Sequence, residues 1–257
     1  PCVYDAHELF TEVPEVIDRP SVRKIWLRVE KFICRRIKYA YTVSASVAEE
    51  FKKGYGTDFS LIRNLPNRKI INHPSKTATE NLIIYRGAVN KGRGLKELIE
   101  AMKSIDAKLL IAGDGDLTDE LKQQVNESGL KNKISFTGYQ TPQQLDEQTL
   151  NAKIGVNLLE SVSKNYYYSL ANKFLDYIQC EVPQLCMNFP EYEKVNAEYK
   201  IATLIDTLNP DLISKAINTL IKDKNLYNEL KVNCARCAAE LCWEEEEKKL
   251  IDFYKNI

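Results

Sequence analysis

The stretch NLIIYRGAVNKGRGLKELIEAM, Asn81 to Met102, holds a strand pattern, a glycine-rich loop and a helix pattern in direct succession. The apolar run LIIY precedes Gly87, and apolar residues at helical spacing follow Gly94. Between them, the spacing of Gly87, Gly92 and the next cation approaches the phosphate-binding loop G-x-x-x-x-G-K-[ST]. The stretch predicts an α/β unit whose loop is an altered ATP loop, another kind of phosphate site or a plain turn.

The loop differs from a working ATP loop at the two positions after Gly92. An ATP loop places a lysine on the outer phosphates and a Ser or Thr hydroxyl on Mg²⁺, whereas Arg93 and Gly94 stand here. Without the hydroxyl, the metal-binding half of that mechanism is missing. An arginine can still bind phosphate through two hydrogen bonds, so a phosphate site is favoured over a surface turn.

Strand and helix patterns continue to alternate to the end of the chain. Strands are predicted at 82–86, 108–112, 134–137, 154–158, 183–187 and 201–205, and helices follow each of them. This order predicts a parallel sheet covered by helices on both faces. Such sheets bind ligands beyond the carboxyl ends of their strands, where helix N-termini offer unpaired N–H groups.

The first part of the chain has shorter patterns of the same kind. Strands are predicted at 2–4, 41–44 and 59–63, and helices at 21–41 and 46–53. The polar stretch 64–81 has no periodicity and predicts a linker. We therefore expect an N-terminal domain at 1–80 and a second domain at 81–257, with the last helix, 243–257, packing back on the first. Because the chain opens directly on a strand pattern, we expect a fragment of a longer protein.

Composition excludes several classes of function. Among 257 residues, Lys plus Arg and Asp plus Glu number 36 each, so no global field attracts nucleic acid. No apolar run reaches the roughly 20 residues of a membrane helix, and no secretory signal opens the chain, so we expect a soluble cytoplasmic protein. The seven scattered cysteines argue against a disulfide framework. Cys234-x-x-Cys237 lies in a helix pattern without a second pair, which favours packing over zinc binding.

One helix pattern, SVRKIWLRVEKFICRRIKYA (21–40), is both amphipathic and basic. A basic amphipathic helix with a tryptophan can lie on an anionic membrane. The same apolar stripe also fits burial against the N-terminal sheet, which we favour. The stripe consists of Val22, Ile25, Trp26, Val29, Phe32, Ile33 and Ile37.

Seven motifs occur in an order that resembles one family. They are YDAHEL, TVS, RNLPN, RGAVNKGRGLKELIEAM, LLIAGDGD, ISFTGY and NYYYSLANKFLDYIQCEVPQL. The chain resembles the GT-B-fold "group 1" glycosyltransferases, retaining enzymes that move a sugar from a nucleoside diphosphate to an acceptor, from about Tyr4 to its last helix. The resemblance implies an α/β, GT-B-like fold with a complete C-terminal Rossmann-like domain that binds the nucleotide-sugar and a partial, acceptor-side N-terminal Rossmann-like domain.

The resemblance also implies roles for the glycine-rich loop. Gly87 matches the glycine after the domain's first strand, and Arg93 matches a lysine that contacts the donor diphosphate. The family's other basic residue falls on Ala88, which departs from the usual pair of cations. Lys91 would supply the missing charge from a different position.

A second implied donor site is the segment Ser169 to Asp176. Asp176 matches a glutamate that holds the ribose hydroxyls, and the family's first glutamate falls on Tyr168. A carboxylate suits that role because it accepts two hydroxyl donors at once. The helix start at Leu170 would approach the phosphates and the sugar. The residues implied there are Ser169, Leu170, Ala171, Asn172 and Lys173, of which Lys173 adds charge to the leaving diphosphate.

His7 matches a histidine beside the transferred sugar, with Asp5 and Glu8 to orient it. The alternative is a loop histidine with local partners only.

The GDGD motif, 113–116, allows a metal-binding Asp-x-Asp, but it fits the family's glycine turn better, with Gly113 near the donor and Asp116 capping the next helix. Gly138 and Tyr139 match the segment whose backbone borders the nucleobase.

The sequence therefore predicts a retaining, metal-independent hexosyl-type glycosyltransferase with His7, Arg93 and Lys173 at the reacting centre. Its partners would be a nucleotide-sugar donor and a glycan or lipid-linked acceptor, with peripheral membrane contact and no nucleic acid, and it needs no cofactor. Two alternatives remain open: a nucleotide-sugar epimerase or hydrolase of the same fold, and a binding fragment without turnover.

Overall fold

The structure is a computed structural model that describes residues 1–71 and 81–257. Part of the predicted linker, 72–80, lies outside the described residues. The N-terminal elements form a parallel sheet in the order β1-β2-β3. They are β1 (Val3–Ala6), α1 (Pro14–Ile17), α2 (Pro20–Cys34), β2 (Tyr39–Thr42), α3 (Ala45–Tyr55) and β3 (Ser60–Leu61).

The remaining elements form the predicted doubly wound sheet, whose strands are all parallel in the order β6-β5-β4-β7-β8-β9. The chain reverses its direction of strand addition between β4 and β7, and this switch point opens a crevice at their carboxyl ends. The strands are β4 (Leu82–Arg86), β5 (Lys108–Ala112), β6 (Ile134–Gly138), β7 (Ile154–Asn157), β8 (Gln184–Met187) and β9 (Ala202–Ile205). The helices are α4 (Leu95–Ala101), α5 (Thr118–Glu127), α6 (Pro142–Leu150), α7 (Lys164–Tyr167), α8 (Asn172–Gln179), α9 (Pro190–Tyr199), α10 (Pro210–Lys222), α11 (Lys224–Glu240) and α12 (Trp243–Lys255).

Side-chain caps fix where several helices begin. The Ser44 hydroxyl accepts a hydrogen bond from Val47 N at the start of α3, and Thr141 and Gln144 form a capping box on α6. Asn209 and Asp223 cap α10 and α11 in the same way. Each cap satisfies backbone N–H groups that a helix leaves unpaired in its first turn.

The two sheets are joined by contacts far apart in sequence. Glu191 Oε1, on α9, accepts hydrogen bonds from the Ser46 backbone N–H and hydroxyl, at 2.9 and 2.7 Å, in the first turn of α3. The last helix, α12, returns to the N-terminal sheet, where the Phe253 and Tyr41 rings lie 5.3 Å apart. Packing between the halves therefore holds the crevice walls in place.

The first long helix is shorter than predicted. The periodic pattern extends to Tyr41, but α2 ends at Cys34, and Tyr39 to Thr42 pair with β1 instead. Aromatic and β-branched residues fit a pleated sheet well, so tertiary pairing overrides the helical periodicity. The helix predicted from Leu170 likewise begins two residues later, at Asn172.

The apolar stripe of α2 is exposed, which corrects the favoured burial against the sheet. Ile25 and Phe32 are each 59% exposed and Trp26 is 42% exposed. The side of α2 that is buried instead carries Glu30 and Cys34. The stripe is thus an apolar surface patch flanked by cations. In the described part of the chain, no helix combines the length and the apolarity needed to cross a bilayer.

Candidate functional site

The glycine-rich loop after β4 is held by close backbone contacts with the loop after β5. Gly87 N donates to Ala112 O at 2.9 Å, and Val89 N donates to Asp114 O at 2.9 Å. A Cβ added at Gly113, whose φ is 151°, would lie 1.9 Å from Gly87 O. Only glycine fits there, so the two loops form a fixed floor at the carboxyl end of the sheet.

A central cavity of about 460 Å³ opens above this floor, between the two halves of the molecule. It brings together most of the donor residues implied by the resemblance: Gly87, Arg93, Ser169, Leu170, Ala171, Asn172, Lys173 and Asp176. It is also lined by Glu8 and Ala88, and by residues that were not singled out from the sequence: Arg86, Leu145, Leu159, Asn165 and Tyr166.

One end of the cavity is positively charged. The Arg93 guanidinium carbon lies 4.9 Å from the centroid of the Tyr166 ring, and its buried Nε has no hydrogen-bond partner in residues 1–71 and 81–257. Lys173 Nζ lies 3.8 Å from the centroid of the Tyr85 ring. Burial, followed by Arg93 and Arg86, lowers the pKa of Lys173 well below its usual value. These groups would gain from a bound anion.

The start of α8 adds to this positive end. Ala171 precedes the helix in an extended conformation and provides no side-chain cap. The first N–H groups of α8 therefore lack the side-chain partner that caps α3 or α6. Uncapped N–H groups and the positive end of the helix dipole form an arrangement that binds phosphate.

The other end of the cavity holds paired charges. Asp176 Oδ2 lies 3.2 Å from Arg86 Nη2, and Arg86 Nη1 lies 3.0 Å from Asp146 Oδ1. Burial raises the pKa of Asp176, while Arg86 and then Lys69 oppose that shift. The predicted ribose carboxylate is therefore present in the cavity but already has a cationic partner.

His7 lines a smaller adjoining cavity of about 220 Å³ with Ser169, Leu170 and Asn172. Its Nε2 lies 3.0 Å from Asp5 Oδ2, as expected for an orienting carboxylate. Glu8 does not contact the ring. It accepts a hydrogen bond from Asn165 Nδ2 at 3.1 Å instead, so its predicted role is replaced by a contact between the two halves.

Four of the predicted donor-binding residues lie outside the central cavity. Lys91 is exposed and lines an outer cavity of about 760 Å³ beside α1, which it shares with Arg93. Gly113 is part of the floor, where it packs against the backbone of Gly87. Gly138 ends β6, and the following Tyr139 is 81% exposed. The missing charge at Ala88 is therefore not supplied by Lys91 within the central cavity.

The GDGD segment forms a turn that its own hydrogen bonds stabilise. Asp114 accepts hydrogen bonds from Thr118 Oγ1 at 2.6 Å and from Gly115 N at 2.9 Å, and these bonds lower its pKa. The prediction that Asp116 caps the next helix is wrong, because α5 follows Leu117 and has no side-chain cap bond. Within residues 1–71 and 81–257, no three His, Cys, Asp or Glu side chains are arranged as a metal-binding group.

The cysteines are free thiols, and all except Cys2 are buried. Cys234 and Cys237 lie on the inner face of α11 as part of the main hydrophobic core. Burial raises the pKa of Cys237 to about 12. Both therefore pack as protonated thiols, as the helix pattern suggested.

Two cavity residues had different degrees of signal in the sequence. Arg86 is a charge at the end of the buried apolar strand LIIYR, which is unusual for a residue 6% exposed. Asn165 had no such signal, since its contacts to Leu9 N and Glu8 join residues more than 150 positions apart.

Comparison with known proteins gives this geometry a context. The family model for "Glycosyl transferases group 1" matches residues 67–236. The "Uncharacterized glycosyltransferase MJ1607" of Methanocaldococcus jannaschii is 24% identical over 68% of this chain and 45% of its own length. The "Lipopolysaccharide core biosynthesis glycosyltransferase LpsD" of Rhizobium meliloti is 24% identical over 53% of this chain and 39% of its own length. The chain thus spans less than half the length of these curated relatives.

A solved structure agrees with the fold. Anabaena HepE, crystallised with UDP, superposes with a TM-score of 0.82 at 15% identity, over 100% of this chain and 72% of its own. The predicted GT-B-like α/β fold is thereby confirmed. Since the family model spans well over half of the residues, this chain belongs to the glycosyl transferases group 1 family.

Proposed function

We propose that the protein moves a hexosyl group from a nucleoside-diphosphate sugar to a glycan or lipid-linked acceptor. The observation that carries this proposal is the convergence of Arg93, Lys173 and the uncapped start of α8 on one end of the central cavity. A departing diphosphate is the anion that a transfer of this kind generates. Preorganised cations and N–H groups would stabilise the charge that develops on it in the transition state.

The proposed mechanism needs only residues of the chain. Arg93 and Lys173 hold the diphosphate, the α8 N-terminus stabilises its growing charge, and Asp176 accepts the ribose hydroxyls. His7, in the adjoining cavity, lies beside the transferred sugar. Retention would follow from attack of the acceptor on the face that the diphosphate leaves, with a phosphate oxygen as the base. Retention and independence of metal ions are part of the proposal.

UDP-hexoses are the first donors to test, because HepE was crystallised with UDP and with UDP-glucose. The acceptor proposal has separate support: the exposed apolar stripe on α2 is flanked by the cations Lys24, Arg28, Lys31 and Arg35. Such a surface suits an anionic bilayer that carries a lipid-linked acceptor. The name of LpsD, with its role in lipopolysaccharide core biosynthesis, is consistent with this acceptor class.

The test is transfer of radiolabelled sugar from a panel of nucleotide-sugars to glycan and lipid acceptors, with and without EDTA. The expected result is a product with the donor's anomeric configuration, seen by proton NMR, and no effect of EDTA. Loss of transfer in EDTA would refute the metal-free mechanism. Conversion of the donor without an acceptor would favour the epimerase or hydrolase, and binding without turnover would favour the binding fragment.

A further inference from the structure

Four charged side chains form a chain of contacts at the paired end of the central cavity. Lys69 Nζ lies 2.5 Å from Asp146 Oδ1, which lies 3.0 Å from Arg86 Nη1. Arg86 Nη2 lies 3.2 Å from Asp176 Oδ2. The two cations and two carboxylates come from the segment before β4, from β4 itself, from α6 and from α8, and their charges sum to zero. Ionised side chains this far inside a protein persist when they are paired in this way.

Both terminal nitrogens of Arg86 have partners within this cluster. Its side chain is only 7% exposed, and Nη1 also donates to Thr149 Oγ1 at 3.3 Å. Its terminal nitrogens therefore meet two carboxylates and a hydroxyl. Arg93, seven residues later, has a buried Nε without such a partner among the described residues. Arg86 is thus not the phosphate-binding cation that is missing at position 88, and its contacts require another role.

The geometry points to that role at Asp176. Arg86 Nη2 lies 3.2 Å from Oδ2 of this carboxylate. Both residues line the central cavity, and the Asp176 side chain is 21% exposed. A carboxylate that is held by one cation and is still partly exposed to a cavity is suited to accept hydrogen bonds from hydroxyl groups.

We propose that Arg86 is a positioning residue for the donor ribose, because it fixes the Asp176 carboxylate in the orientation that accepts the ribose hydroxyls. Asp146 and Thr149 hold the guanidinium from its far side, and Lys69 compensates the charge of Asp146. Arg86 also opposes the rise in the pKa of Asp176 that burial causes, and so favours the ionised form of the carboxylate. This inference rests on the proposed function, in which Asp176 accepts the ribose hydroxyls.

The experiment compares the affinities of the full chain for UDP and 2′,3′-dideoxy-UDP by calorimetry. The two ligands differ only in the ribose hydroxyls, so the ratio of their affinities isolates ribose recognition. We expect the native protein to prefer UDP about tenfold or more, since hydrogen bonds to a charged group are lost with the dideoxy ligand. Asp176→Asn and Arg86→Gln should each reduce this preference severalfold, and Arg86→Lys should restore part of it.

Two further variants sharpen the test. Arg93→Ala is the matched control: it should weaken both ligands by the same factor and leave the ratio unchanged. Arg86→Gln combined with Asp146→Asn removes one charge of each sign, so it keeps the cluster neutral if Arg86→Gln alone does not fold. Arg86→Gln combined with Asp176→Asn should be no worse than either single change, because the two residues act as one unit.

A folded Arg86 variant with the native ratio, or losses that add in the double variant, would overturn the inference. An unchanged ratio in Asp176→Asn would overturn it as well, by removing the ribose role of that carboxylate. Failure of the proposed function looks different: either no nucleoside diphosphate binds, or UDP binds with the expected ratio and no sugar is transferred.

Discussion

The two ends of the central cavity handle charge in opposite ways. At the end proposed to bind the ribose, Arg86 and Asp176 are paired, and the surrounding charges cancel. At the end proposed to bind the diphosphate, the phosphate end, Arg93 and Lys173 lie against aromatic rings, and Arg93 Nε has no partner in the described residues. Both ends lie within one cavity and on adjoining parts of the β4 loop and α8.

This difference assigns different roles to the two ends. Paired charges stabilise each other even when the site is empty, so they can hold a carboxylate in one orientation. Two cations close together without an anion repel each other, and an incoming diphosphate relieves that repulsion. The unpaired end should therefore control how tightly a donor binds, and the paired end should control which donor binds.

The largest effect is expected from the unpaired end. Arg93→Ala should weaken UDP affinity about tenfold or more, because a charge-assisted phosphate contact contributes about 1.5–3 kcal/mol. Calorimetric titration measures this loss. Lys91→Ala, on the outer cavity, should cost clearly less, and equal losses in the two variants would show that Lys91 reaches the diphosphate.

Lys173 should give the phosphate end a pH dependence. Its pKa is lowered by burial and then by Arg93 and Arg86, so the ammonium loses its proton as pH rises through that lowered pKa. UDP affinity should therefore fall severalfold as pH rises through that lowered pKa, once the terminal phosphate is ionised above its own pKa of about 6. Lys173→Met should flatten the profile. Arg93→Ala should move the inflection to higher pH, and a flat native profile would contradict the prediction.

A paired charge outside the cavity should affect folding and leave binding intact. Burial opposes ionisation of Glu191, but hydrogen bonds from Ser46 and Lys194 outweigh it and lower its pKa. Glu191→Gln should reduce the free energy of unfolding by about 1 kcal/mol or more near pH 7, as measured by urea denaturation. UDP affinity should stay within about twofold of the native value, since Glu191 does not line the central cavity and its replacement leaves the cations there in place.

The sign of the pH effect follows from the lowered pKa. The stabilisation from ionised Glu191 is present above the ordinary glutamate pKa of 4.5 and is lost as pH falls through the lowered one. The stability difference between the native protein and Glu191→Gln should therefore narrow on acidification. A difference that stays constant from pH 7 to pH 3 would show that charge is not what makes this contact stabilising.

The smallest effect on stability is expected from changes on α2, where the apolar stripe is exposed. Ile25→Ser and Phe32→Ser should each change stability by about 0.5 kcal/mol or less, because both side chains are 59% exposed. Sedimentation with vesicles of anionic lipid should fall markedly in the double variant, and neutral vesicles provide the control. A strong loss of stability would show that the stripe packs against protein.

Most of the fold could be predicted from local sequence patterns. Strand β4, its loop and α4 could be predicted because they are consecutive, and hydrophobic period and turn chemistry act over a few residues. The end of α2 was missed because Tyr39 to Thr42 pair with β1, more than thirty residues earlier. The sequence predicted this strand at 41–44, but its start at Tyr39 is set by pairing with β1, which a local period does not show.

In the candidate site, too, contiguous residues could be predicted from the sequence, whereas contacts between distant residues could not. The donor segment from Ser169 to Asp176 could be placed because its residues are contiguous and match a motif. The pair formed by Arg86 and Asp176 joins residues ninety positions apart, and no spacing rule connects them. The contact of Glu8 with Asn165 is of the same kind. Such contacts appear only when the two halves are folded together.

Because α12 packs against the first sheet, the N-terminal sheet depends for its packing on the last helix described. Trp243 N, in the first turn of α12, donates a hydrogen bond to Pro66 O at 2.9 Å, and Glu246 Oε1 accepts one from Arg63 N at 2.7 Å. The Phe253 ring packs against Tyr41 on β2. Because α12 follows every element that it contacts along the chain, β2 would lack that neighbour until α12 has been synthesised. Loss of the final fifteen residues should therefore loosen the N-terminal sheet first, and a separately added α12 peptide should bind there and restore it.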